Sequence, residues 1–275
     1  MLLKRLLCGV LAVVILVAGG YYGMTFRFFD RPLSSEVQKE FEEQVALPRN
    51  FTLAASVDSF ESAKNSMQSV RDGVKSGSYA LELNIAFDSA RVPYLADGRE
   101  YITDSSVPLE KVFKTYADQS YLRFILHLTE LRNPEKLAEL AWEYKVNDRI
   151  LLTGFTMEDL EKYSSVYGMF RQCVWVEKTY GDLHDLDVCT QYVRDASDKG
   201  ASGMLCSAEI ATPELCRAAM TYGQFRILLC DANSTYNMYY AMSLNPDVII
   251  TDRPNELYNL MLSSDYLNVG QFNMF

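Results

Sequence analysis

From about position 51 onward, short runs of aliphatic and β-branched residues alternate with stretches whose apolar positions recur every three or four residues. Short runs bounded by polar turn residues predict strands, and the longer periodic stretches predict helices with one buried face. The runs fall at 51–56, 79–87, 92–96, 122–128, 149–153, 173–176, 201–206, 225–230 and 248–251. Alternation of this kind predicts a parallel sheet covered by helices. Between the second and third runs stands only Asp88-Ser89-Ala90-Arg91, too short for a helix, so one run is expected to be the return arm of a hairpin. Eight strands remain, which predicts an α/β fold of the TIM-type (β/α)8 class. An open doubly wound sheet is the alternative, but no GxGxxG turn follows the first run.

Several helix starts are marked by their own chemistry. Asn133-Pro134-Glu135 and Thr212-Pro213-Glu214 each place a capping residue before a proline at the first helical position, where the missing N–H has no cost. Thr156 with Asp159 predicts a capping box, Gly168 is expected to stop that helix, and Asn255 with Glu256 is expected to open the last one.

The pattern before position 51 is different. Lys4 and Arg5 precede an uncharged apolar run over 6–26 that ends near Tyr21 and Tyr22. About twenty apolar residues suffice to cross the hydrocarbon layer, and no good A-x-A site follows, so 1–26 is expected to be an uncleaved transmembrane helix rather than a signal peptide. The basic head should stay cytoplasmic, placing the folded domain on the other side of the membrane. Residues 27–50 read as a charged juxtamembrane linker, and 51–275 as a single domain.

Composition narrows the partners. Lys and Arg number 26 against 36 Asp and Glu, a net charge of −10, and no basic cluster offers a nucleic acid a local exception. The six cysteines form no CxxC and no zinc-type spacing with the two histidines, His127 and His184. Bridges from Cys173 to Cys189 or Cys206 to Cys216 are open on spacing, with buried free thiols the plainer reading. GxSxG, HExxH and P-loop motifs are absent.

Nine segments in order resemble the glycerophosphodiester phosphodiesterase family. Ala54-Ala55-Ser56-Val57 stands where that family has Ala-His-Arg-Gly, Lys64-Asn65-Ser66 where it has Glu-Asn-Thr, and Glu82-Leu83-Asn84-Ile85 where it has Glu-Leu-Asp-Val. Val92 to Asp97 resembles the strand ending in His-Asp, and Pro108 to Val112 the helix start after it. Leu126-His127-Leu128-Thr129 resembles the Ile-Glu-Leu-Lys strand, Leu151 to Phe155 the strand ending Ser-Ser-Phe, and Cys230 to Asn233 the Trp-Thr-Val-Asn segment. Pro246 to Pro254 then follows the family's Ile-Ile-Thr-Asp-x-Pro ending.

The resemblance implies a barrel whose family uses a divalent cation on three carboxylates, two histidines for proton transfer, and an arginine and a lysine for the phosphate. Carried over, the carboxylates become Glu82, Asn84 and His127, the histidines Ala55 and Ala96, the arginine Ser56 and the lysine Thr129. An alanine cannot move a proton, and two lost acid–base groups together account for roughly 10⁴ to 10⁸ in rate. No catalytic residue is therefore assigned. Glu82, Asn84 and His127 are at most a weak divalent-cation site, with a hydrogen-bonded polar cluster the plainer reading, while Ser56, Lys64 and Asp97 are candidate ligand-binding residues. The expected function is a membrane-anchored, catalytically degenerate family domain that binds a glycerophosphodiester, a polar head group or a partner. The alternative is an active metal-dependent phosphodiester hydrolase.

Overall fold

The computed structural model describes residues 51–57, 64–98, 102–132, 134–178 and 180–263. The expected membrane helix, the linker over 27–50 and the Asn133 cap lie outside the described residues. Among the described residues no helix is long and apolar enough to cross a membrane.

Nine strands form where the short apolar runs predict them: β1 (Thr52–Ser56), β2 (Ala80–Phe87), β3 (Pro93–Leu95), β4 (Arg123–Leu128), β5 (Ile150–Phe155), β6 (Arg171–Trp175), β7 (Gly203–Ser207), β8 (Arg226–Cys230) and β9 (Val248–Thr251). Eight are parallel neighbours in the order β1-β9-β8-β7-β6-β5-β4-β2, and β1 pairs again with β2 to close the barrel. The ninth, β3, runs antiparallel to β2, with Ile85 opposite Leu95 and Phe87 opposite Pro93. Strand β1 pairs only with the first three residues of β2, Ala80 to Glu82. The far half of β2 therefore projects beyond β1, and β3 covers the edge this leaves.

Around the barrel lie α1 (Met67–Lys75), α2 (Leu109–Tyr116), α3 (Glu135–Glu143), α4 (Met157–Tyr163), α5 (Leu186–Asp198), α6 (Pro213–Thr221), α7 (Thr235–Ser243) and α8 (Pro254–Ser263). Local chemistry explains their starts. Thr156 and Asp159 form the expected box on α4, and the Thr212 side chain caps α6 with Pro213 directly behind it. Gly168 does not stop α4, which ends five residues earlier at Tyr163, because its last turn passes into irregular turns before β6. Helix α8 begins at Pro254 rather than Asn255, as a proline at a first helical position allows.

Side-chain alternation splits the core into two. One cluster holds strand residues facing the helices, such as Leu53, Leu81, Leu126 and Ile249, together with helix residues such as Val70, Val112, Leu160 and Leu215. The smaller cluster fills the barrel interior with Ala54, Ala80, Ile125, Cys173, Leu205, Leu228, Val248 and Ile250. Each large buried aliphatic contributes about 1.5–3 kcal/mol, so the helix-facing layer carries most of the hydrophobic stabilisation. The five cysteines of the described residues are buried free thiols, so neither candidate bridge forms.

One glycine is required by the sheet. Gly154 has φ +97°, and a Cβ there would lie 2.4 Å from the backbone oxygen of Leu128. Register slips between Leu152 and Phe155 at the same place, the mark of a bulge that tightens β5 against β4 beside the barrel mouth.

Candidate functional site

Barrels of this type present their variable chemistry at the C-terminal ends of the strands. Parallel register places Ser56 beside Glu82, Asn84 beside His127 and His127 beside Thr153. Four adjacent strands thus deliver polar side chains to one arc of the mouth, because residues two apart on a strand share a face. A cavity of about 180 Å³ opens there, walled by Ser56, Glu82, Asn84, His127, Asp231 and Asp252 on its polar side and by Trp175, Leu205 and Ile250 on its apolar side.

Hydrogen bonds hold this wall in place. Asn84 Nδ2 donates to Asp97 Oδ1 at 2.8 Å, and His127 Nδ1 lies 3.2 Å from the Thr153 hydroxyl oxygen. Burial pushes the imidazole below its ordinary range, and the neighbouring carboxylate of Asp97 opposes that only in part. His127 is accordingly neutral near pH 7. On the opposite side Asn233 Nδ2 donates to Asp252 Oδ2 at 2.9 Å, while Asn233 Oδ1 accepts from the Asp252 N–H at 2.9 Å. This pair of bonds ties the turn after β8 to the end of β9. The Cys230 thiol, which also reaches the cavity, is pushed far up by burial and then by Asp231 and Glu82, so it is not a thiolate nucleophile.

Of the residues singled out in the sequence, Ser56, Glu82, Asn84 and His127 meet in this cavity. Asp97 stands behind Asn84 as its hydrogen-bond acceptor. Lys64 is exposed and takes no part in the wall. Ala96 donates its N–H to the Asn84 carbonyl at 3.0 Å, next to the mouth. Ala55 is different: it is fully buried and packs with the helix-facing cluster, while its neighbours Ala54 and Ser56 face the interior. The residue β1 offers to the mouth is therefore Ser56. His184 is 78% exposed with Nδ1 4.0 Å from Glu214 Oε2, outside the cavity.

Asp231, Asp252 and Trp175 were not anticipated as site residues. Their positions carried a signal, since each sits at or just past the end of a predicted strand, where side chains reach a barrel mouth.

The divalent cation implied by the resemblance does not fit the donors present. Hard cations take several carboxylate oxygens, whereas Glu82, Asn84 and His127 bring one carboxylate, an amide already bonded to Asp97, and an imidazole turned by one nitrogen to Thr153. Among the described residues no three His, Cys, Asp or Glu side chains come together as a group able to hold a metal ion. No chemical step is derived through a cation.

No protein-family profile matches the chain, and no curated protein matches it in sequence. Its fold does match solved structures. A glycerophosphodiester phosphodiesterase from Parabacteroides distasonis aligns with TM-score 0.63 and 15% identity, over 78% of this chain and 98% of that one. One from Thermotoga maritima aligns with TM-score 0.58 and 13% identity, over 76% and 98%. A phosphodiesterase from Oleispira antarctica, solved with its product sn-glycerol-3-phosphate, aligns with TM-score 0.57 and 12% identity, over 78% and 97%. At such identities the likeness is one of fold.

Proposed function

We infer that this chain is a member of the glycerophosphodiester phosphodiesterase family, held at a membrane by residues 1–26, whose barrel binds a polar head group at its mouth without hydrolysing it. Two independent lines support the family: ordered motifs along 51–265 and a fold shared over nearly the whole length of the solved enzymes. A fold does not carry an activity by itself, so the reading of the chemistry rests on the mouth.

The observation that carries it is the make-up of the cavity wall, which among the described residues holds three carboxylates and one imidazole but no lysine or arginine. A phosphodiester brings a full negative charge and develops more in its transition state, which needs cations or well-aimed donors close by. Glu82, Asp231 and Asp252 instead repel it. The single imidazole is neutral, and acid–base catalysis of a displacement needs one group to accept a proton and another to give one. A head group is held here by its hydroxyl or ammonium end, donating to the carboxylates with its carbon skeleton against Trp175.

The test is release of glycerol phosphate from glycerophosphocholine and glycerophosphoethanolamine, with Ca²⁺, Mg²⁺ or Mn²⁺ added. The expected result is no turnover above buffer, together with a rise in melting temperature on adding the same compounds, because a ligand of the native state stabilises it. Turnover that disappears in Glu82→Ala would sink this reading in favour of an active hydrolase.

A further inference from the structure

The end of the barrel opposite the mouth carries a group of charges for which the mouth has no use. Arg123, Arg171 and Arg226 are the first residues of β4, β6 and β8. These are alternate strands of the barrel, and each arginine lies two residues before an interior residue, Ile125, Cys173 or Leu228. Alternation therefore sets all three on the interior side at one level. Between the last two, β7 offers Gly203, where a Cβ would lie 2.9 Å from Arg226 Cβ and 3.0 Å from Cys173 Sγ. Only glycine lets β6 and β8 pack this closely across β7 beside Arg226.

A cavity of about 880 Å³ opens at this floor, with Arg171, Arg226, Ser197, Gln224 and Asn245 in its wall and Asp247 as the single carboxylate among the described residues. Asp247 is already engaged, 3.3 Å from Arg226 Nη1 and accepting the Ile227 N–H at 2.8 Å. Arg171 is exposed, and its guanidinium has no ion-pair or hydrogen-bond partner among the described residues. Helix ends nearby contribute carbonyl dipoles, but their influence fades within the last turn, whereas the guanidiniums stand on the strands between them. Burial first, and after it the like charges of Arg149, Arg171 and Arg226, lower the affinity of Arg123 for its proton against the pull of Asp148, so the floor is a place where positive charges stand near one another.

We propose that this floor cavity binds a doubly charged oxyanion of the phosphate or phosphomonoester class between Arg171 and Arg226. A guanidinium offers a planar fork of N–H donors that matches phosphate oxygens two at a time, and the volume exceeds what a bare phosphate needs, leaving space for an organic ester. This site is independent of the mouth and of the function proposed for it.

Isothermal titration of the full chain in nonionic detergent, with inorganic phosphate and with sn-glycerol 3-phosphate against sodium chloride of equal ionic strength, tests it. Saturable binding is expected, weakened about tenfold or more in Arg171→Gln, as loss of a charge-assisted bond implies, and less in Arg171→Lys. Tighter binding of the ester assigns the extra volume to its organic part, and equal binding assigns recognition to the phosphate alone. Both support the site. Arg171→Gln alters an exposed side chain, and an unchanged melting temperature without ligand verifies that it folds. Heats no greater than those of chloride, or equal affinity in wild type and Arg171→Gln, would overturn the proposal.

Discussion

His127 is the residue at which burial and chemistry meet most directly. Its imidazole is held below the ordinary value of 6.5, mainly by burial, so the unfolded chain takes up a proton before the folded one does. Stability from this group is complete above about pH 6.5 and is lost as the pH falls below that value toward the folded one. His127→Gln keeps a polar side chain beside Thr153 without a titrating group. The drop in melting temperature between pH 7 and pH 5 should therefore be smaller in the variant than in the wild type, and an identical drop would show that His127 is not buried neutral. Other residues of the site were visible to different degrees. Glu82, Asn84 and His127 could be placed at the mouth from motif spacing, and Ser56 with them. Lys64 could not be excluded, because its exposure depends on where the turn before α1 lies. Ala55 could be matched by letters, but its side chain takes the helix layer while Ser56 takes the pocket, because successive strand residues face opposite sides.

Among the elements, α6 illustrates how a local signal and a distant contact combine. Thr212 caps the helix by accepting the Leu215 N–H at 3.1 Å, and its hydroxyl also donates to the Leu183 carbonyl in the turn after β6. The cap is legible in Thr-Pro-Glu; the bond to Leu183 is not. Replacing a capping threonine by alanine costs about 0.5–2 kcal/mol, and the Leu183 oxygen loses the hydroxyl donor as well, keeping the weaker Cys189 thiol at 3.3 Å. Thr212→Ala is accordingly expected to destabilise by about 2 kcal/mol in urea unfolding, at the upper end of that range. A value near zero would mean that neither bond contributes. Strand β3 is the element whose existence depended on arithmetic. With no space for a helix after β2, it had to return beside it, and the projecting half of β2 supplied the edge.

For the whole molecule, closure is the decisive property. Strand β9 pairs Thr52 to Ala55 of β1 on one side and Leu228 and Leu229 of β8 on the other. Removing residues 248–275 would leave β1 and β8 with unpaired edges and expose the interior layer of Leu228 and Ala54. The truncated chain is expected to show no cooperative unfolding transition by circular dichroism, whereas the full domain unfolds in a single step. A cooperative transition in the truncated chain would mean that the barrel holds without closing. Charge is also distributed at this scale. Among the described residues Glu82, Asp231 and Asp252 line the mouth cavity and Arg171 and Arg226 the floor cavity, a separation of charge within a chain that is acidic as a whole.

Periodicity and turn chemistry alone determined the nine strands, the caps on α4 and α6, the hairpin and the eight-strand count, because each depends on residues near one another in the chain. Motif order added the identity of the fold and four of the mouth residues. Only the tertiary structure decided which face each strand residue takes, that Asp231 and Asp252 join Glu82 while Lys64 stays away, and that three arginines far apart in sequence share one floor. Those facts arise from register and closure, which bring together residues tens of positions apart and leave no mark on any local stretch of the chain.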